Sequence, residues 1–134
     1  MPRFVIPAHE LKARVDPRDG AMWKCEPISP SEIDAALASG VKEERRWNDI
    51  VNTLSYEESR KFHINRIATL VREVTSDAIV VIVENHTNKV RVYLNDGNHR
   101  LAAAYVRGDL LITAVVAASK PEAIGDVFPG AVST

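Results

Sequence analysis

Asp96-Gly97-Asn98-His99-Arg100 is the stretch whose residue types and order can do chemistry. A carboxylate, a glycine, an amide, an imidazole and a guanidinium follow one another directly, and the glycine admits a positive φ that a Cβ would oppose. Set at the start of a helix, such a turn offers unpaired backbone N–H groups at the positive end of the helix dipole. His99 and Arg100 add side-chain donors at the same pole, so a phosphate placed there meets amides, a guanidinium and an imidazole together. Arg100 has the plainest role, because its donor fork matches phosphate oxygens and stays charged. His99 reads as a neutral donor to phosphate, with general acid/base work as the alternative. Asp96 has two readings: capping the helix and fixing the turn, which is preferred, or binding a metal or a substrate hydroxyl. The catalytic candidates are therefore Asp96, His99 and Arg100, and the phosphate-contacting set is Gly97, Asn98, His99 and Arg100.

The elements on either side must position this turn. Val90-Arg91-Val92-Tyr93-Leu94 alternates with period two, as a half-buried strand does. Leu101 to Val106 is Ala-rich and ends at Arg107-Gly108, like a helix with a glycine stop. Upstream, Ala78 to Val83 is a continuous apolar run, mostly β-branched, that suits an interior strand buried on both faces. Asn85-His86-Thr87-Asn88 supplies a hairpin loop into the Lys89–Leu94 strand. Downstream, Leu111 to Val116 is one more strand. The path from the Lys89 strand through the helix to Leu111 reads as a β–α–β unit, with parallel strands at or near adjacency and a right-handed crossover.

At Asp96-Gly97-Asn98-His99-Arg100-Leu101-Ala102-Ala103-Ala104 the chain resembles the ParB/sulfiredoxin-like superfamily. Its hallmark is a strand, an Asp-Gly-x-His-Arg turn and a helix opening with Leu or Tyr and small residues. The order of elements from about His63 to Ala117 fits the same pattern. The resemblance implies a small mixed sheet with helices packed on it, of α/β (α+β) class. It also implies a turn that binds nucleotide phosphates, ATP, ADP or CTP, with Mg as an accompanying ion. Members include CTP-binding partition proteins, ATP-using sulfiredoxins, ADP-dependent small-molecule kinases and reported nucleases, and fold alone does not choose among them. Sulfiredoxins carry a reactive cysteine where this chain has Asn98; an amide forms no thiolate, which argues against that chemistry.

Bulk properties set the bounds. At 134 residues the chain is expected to form a single domain over 1–134, long enough to bury a real core. Seventeen basic and 18 acidic side chains nearly cancel, unlike the basic excess of a dedicated duplex-DNA binder. One cysteine, Cys25, excludes an internal disulfide framework, and no Cys/His spacing resembles a structural zinc site. There is no signal-peptide pattern and no long apolar run, so the expectation is a cytoplasmic protein without a membrane partner.

The rest of the chain divides into an irregular segment over 1–28, a helical region over 29–74 and a loose tail over 118–134. Phe4-Val5-Ile6 is expected to be a short strand and Ala21–Ile28 a second one. Ser29-Pro30-Ser31-Glu32 reads as a capping box opening a helix that Gly40 stops. A helix is expected over Lys42–Thr53, with Trp47, Ile50, Val51 and Leu54 on one face. Ser55-Tyr56-Glu57-Glu58 opens a longer helix to about Val74, with Phe62, Ile67, Leu70, Val71 and Val74 toward the core.

Several motifs have plainer explanations than a site. Glu43-Glu44-Arg45-Arg46-Trp47 is similar in letters to the Gly-Glu-Arg-Arg box of partition proteins, but it falls inside an expected helix, where charge pairs on a solvated face account for it. Arg60, Lys61, Arg66 and Arg72 read as a charged outer face before a polyanion groove. Cys25 reads as a small buried apolar residue, and His9, His63 and His86 are scattered. Related kinases draw a catalytic carboxylate from their N-terminal segment, which makes Glu26 and Glu32 candidates, although Glu32 already has a capping role. Three functions follow. The first is nucleotide binding at the turn, with NTP hydrolysis or phosphotransfer as its chemistry. The second is DNA binding or ParB-like nuclease action, and the third a non-catalytic adaptor or inhibitor of a protein partner. Oligomeric state is not readable.

Overall fold

The computed structural model describes residues 2–134, so Met1 lies outside the account that follows. In chain order the elements are β1 (Arg3–Pro7), α1 (Ala8–Lys12), a 3-10 turn (Pro17–Asp19), α2 (Pro30–Ser39), α3 (Trp47–Ile50) and α4 (Tyr56–Arg72). They continue with β2 (Ile79–His86), β3 (Lys89–Asp96), α5 (Asn98–Arg107), β4 (Leu111–Ala118), α6 (Ala123–Val127) and β5 (Val132–Ser133). Their contacts gather in two compact units, one running up to Asp16 and resuming over Ser76–Thr134, the other Pro17–Thr75.

The first unit is a five-stranded mixed sheet in the order β3-β2-β4-β1-β5. Alternation along β2 buries Ile79, Val81 and Val83 completely and leaves Val80 and Ile82 half-buried. One face is therefore sealed, where the apolar run had suggested two. Register carries the sealed face across the sheet, with Val81 opposite Leu94 and Val116 and Ile6 opposite Ile112. Leu101 from α5 and Ile124, Val127 and Phe128 from the C-terminal segment complete the same core. The mixed α/β architecture anticipated from the sequence is present.

The expected β–α–β pairing is not. β3 runs antiparallel to β2, and β2 runs parallel to β4, so β3 and β4 point in opposite directions with β2 between them. The parallel pair is β2 and β4, and its crossover contains both β3 and α5. The hairpin reverses the chain before the helix begins, so α5 leaves and rejoins the sheet at the same end.

The chain termini are firmer than composition implied. β1 contains the short strand expected at Phe4–Ile6, α1 falls in the segment otherwise read as irregular, and Phe128 in the tail is fully buried. The Gly130 amide donates to the Glu10 carboxylate at 2.9 Å, and β5 pairs with β1.

In the Pro17–Thr75 unit, α2 packs on α4. Both helices open with complete capping boxes, Ser29 with Glu32 and Ser55 with Glu58, and α2 stops at Gly40 in the left-handed conformation. Phe62, Ile67 and Leu70 are buried as expected and Val71 is half-buried, but α4 ends at Arg72, leaving Val74 67 % exposed. The strand expected over Ala21–Ile28 is instead a set of turns. Cys25 N–H closes on the Gly20 carbonyl and Ile28 N–H on that of Arg18, so donors a ladder would need are used locally. Gly20 sits at φ +80, where a Cβ would lie 2.2 Å from the Cys25 carbonyl oxygen.

The helix expected over Lys42–Thr53 shrinks to the four residues of α3. Tertiary bonds take its backbone groups. The Glu43 amide donates to Thr69 Oγ1 at 2.8 Å, Arg66 donates to the Glu43 carbonyl at 2.7 Å, and Arg72 donates to the Val41 carbonyl. The Val41 and Glu43 carbonyls would otherwise have accepted the first bonds of the helical ladder.

Candidate functional site

β3 delivers its last residue, Asp96, to the end of the sheet, and Gly97 then turns the chain into α5. The β2–β3 register shifts here: Val80 faces Asp96 while Val81 faces Leu94, leaving Asn95 as an extra residue on β3. A bulge of this kind bends its strand. Gly97 occupies the N-cap position at φ +99. A Cβ at this position would lie 2.5 Å from Ile79 Cγ2, so both conformation and packing demand glycine. The helix ladder begins with Leu101 N–H on the Gly97 carbonyl at 2.8 Å. Asn98, His99 and Arg100 form the first turn, and no side-chain cap hydrogen bond closes it at Gly97.

Gly97, Asn98, His99 and Arg100 are all half-buried, while Asp96 is exposed. Asp96 therefore does not cap α5. Its Oδ2 instead accepts from Arg100 Nη2 at 3.0 Å, one helical turn away. Arg100 Nη1 also donates to the carbonyls of Asp77 at 3.1 Å and Ala78 at 3.3 Å, the two residues leading into β2. The guanidinium thus lies back over the glycine turn and ties it to the neighbouring strand. The two carbonyls that hold it carry no sequence signal, since any residue supplies one. His99 also has a partner within the chain.

The arrangement suits an oxyanion better than a bare cation. Among the described residues no group of three or more His, Cys, Asp or Glu side chains is gathered as a metal-ligand set. Asp96 is the one carboxylate in the turn itself. Magnesium is commonly held by one or two carboxylates together with substrate phosphates, so Asp96 fits an ion arriving with a nucleotide.

Residues outside the turn resolve into structural roles. Glu32 accepts from Arg60 at 2.5 and 2.8 Å, and that pairing, with the Ser29 amide, holds its pKa down at about 2. Glu26 is exposed, and its amide donates to the Tyr56 hydroxyl. Lys61 and Arg72 are exposed, as expected of a charged outer face, whereas Arg60 and Arg66 are half-buried; Arg60, Arg66 and Arg72 each donate to carbonyls of the segments packed beside α4. The Glu43–Arg46 box lies ahead of α3, not in a helix, with Glu43 buried and bound by Arg45 at 2.7 Å. Cys25 is half-buried, and burial raises its thiol pKa, which disfavours the thiolate. Sequence reasoning missed His63, which is fully buried against Trp23 and Trp47.

No family model, no curated protein and no solved structure matches the chain. No helix among the described residues is long and apolar enough to cross a membrane.

Proposed function

We propose that the turn at Asp96–Arg100 is a phosphate-binding site for a nucleotide, in a domain of ParB/sulfiredoxin-like type. The observation that carries this is the uncapped start of α5. The other two helices of ten or more residues, α2 and α4, close their first turns with capping boxes, whereas α5 opens on left-handed Gly97 without a side-chain acceptor. An anion can take the place of such a cap, and the helix dipole favours its charge. Asn98 and His99 flank the same pole. Arg100 then acts first as a strut that shapes the cradle, and its positive charge lies beside the phosphate without being spent on it alone.

Calorimetry with ATP, ADP and CTP, each with and without magnesium, tests the reading. Binding that is lost on His99→Ala and weakened by Asn98→Asp supports it, the latter because a carboxylate at the first helical position competes for the same amides. Absence of binding by every nucleotide overturns it. The commitment of Arg100 to Asp96, Asp77 and Ala78 favours a binding role over phosphoryl transfer, since transfer needs a cation aimed at the developing charge. The adaptor reading rests on this same observation, and it predicts a melting temperature that no nucleotide raises.

A further inference from the structure

We propose that His63, together with Trp23 and Trp47, forms an acid-released latch that holds the segment around Trp23 and helix α3 onto α4. The His63 ring is stacked on Trp23, with centroids 4.2 Å apart and planes inclined by 11°. Trp47 packs against the same imidazole at 4.5 Å and 56°, and Phe62 meets it edge-on at 5.6 Å. The imidazole is fully buried, while both indoles are half-buried. The two elements it holds are weak by themselves. α3 has four residues, no side-chain cap and no buried residue, and the Trp23 segment consists of turns with Lys24 at φ +54.

A neutral imidazole fits this cluster and an imidazolium does not, because three aromatic rings replace its water. Cation–π attraction to two indoles works the other way. Burial wins, and it is the sole cause that lowers the His63 pKa from 6.5 to about 4. Charged groups on the elements packed here are engaged elsewhere or exposed. Arg46 pairs with Asp49 beside Trp47, Arg60 with Glu32, Arg66 with the Glu43 carbonyl, and Arg45 with Glu43 while lying over Phe62. Lys24, Glu26, Glu57, Glu58 and Lys61 are exposed.

The sign follows from linkage. The released state binds the proton with the ordinary affinity and the closed state resists it. Acidification below pH 6.5 therefore shifts the balance toward release, by roughly 150-fold at pH 4 and by about 300-fold only well below it. Well above pH 6.5 the proton no longer opposes closure.

Trp23 and Trp47 are the only tryptophans in the chain, so intrinsic emission reports on this cluster alone. The test is the emission maximum of the full chain between pH 7.5 and 4.5, recorded beside far-UV circular dichroism. A red shift with the dichroism unchanged, abolished in His63→Phe, is the expected result. An unmoved maximum, the same shift in His63→Phe, or a shift that coincides with loss of helix signal overturns the proposal. If His63→Phe does not fold at neutral pH, the imidazole resonances of the wild type decide. Titration well below 6.5, in step with the tryptophan ring signals, supports the latch; titration near 6.5, or independent of those signals, removes it.

Discussion

Arg100 Nη2 donates to Asp96 Oδ2 at 3.0 Å, so the cation of the glycine turn is held by the carboxylate that precedes it. The pair is lopsided: the Asp96 side chain is 69 % exposed and that of Arg100 only 21 %. Water screens the acidic partner, and the basic one is anchored as well by two carbonyls.

Asp96→Asn is therefore expected to change stability by less than about 1 kcal/mol, as for an exposed ion pair. Arg100→Ala removes a charged hydrogen-bond donor from two further carbonyls and is expected to cost about 1.5–3 kcal/mol. Urea unfolding of the two variants measures the difference. Equal losses would mean that the carbonyl bonds contribute nothing.

Gly97→Ala places a Cβ against Ile79 at a φ of +99. The conformation costs about 1–3 kcal/mol and the overpacking a similar amount. Adding Ile79→Ala should relieve the packing share only, leaving a coupling between the sites in a double-mutant cycle. Gly108→Ala is the control, because its φ is +79 but nothing lies within 4 Å of the added methyl. It should show the conformational cost alone.

The Glu32–Arg60 pair gives an acid-sensitive contribution. The folded-state pKa of Glu32 is depressed from 4.5 to about 2, so its stabilisation is present above pH 4.5 and is lost as pH falls toward 2. With 35 % of the Glu32 side chain exposed, solvent screening reduces this to about 1–2 kcal/mol. Chemical denaturation from pH 5 to 2 should show the loss in the wild type and a smaller slope in Glu32→Gln. Identical slopes would contradict the assignment.

Phe128→Ala tests whether the C-terminal segment belongs to the core. A fully buried phenylalanine predicts a loss of about 3–5 kcal/mol. A loose tail predicts almost none. Thermal or urea unfolding separates the two outcomes without ambiguity.

What could be read directly from the chain was whatever local chemistry specifies. Ser29 with Glu32, Ser55 with Glu58 and the glycine stops at Gly40 and Gly108 are satisfied within a few residues, and the helices they bound formed where expected. The β3–Gly97–α5 corner was legible for the same reason, since alternation, a glycine and an Ala-rich run are all short-range signals. Tertiary structure decided the rest. Glu43 and Val41 gave their backbone groups to Thr69, Arg66 and Arg72, residues more than twenty positions away, and a helix that periodicity supported did not extend. The direction of β4 against β3 depended on which strand edge the chain found after the hairpin, and no residue in either strand encodes that choice alone. Likewise the composition of the turn named the guanidinium of Arg100, while only the fold placed it between Asp96 and the carbonyls of Asp77 and Ala78, because carbonyl acceptors are common to every residue and are selected by position.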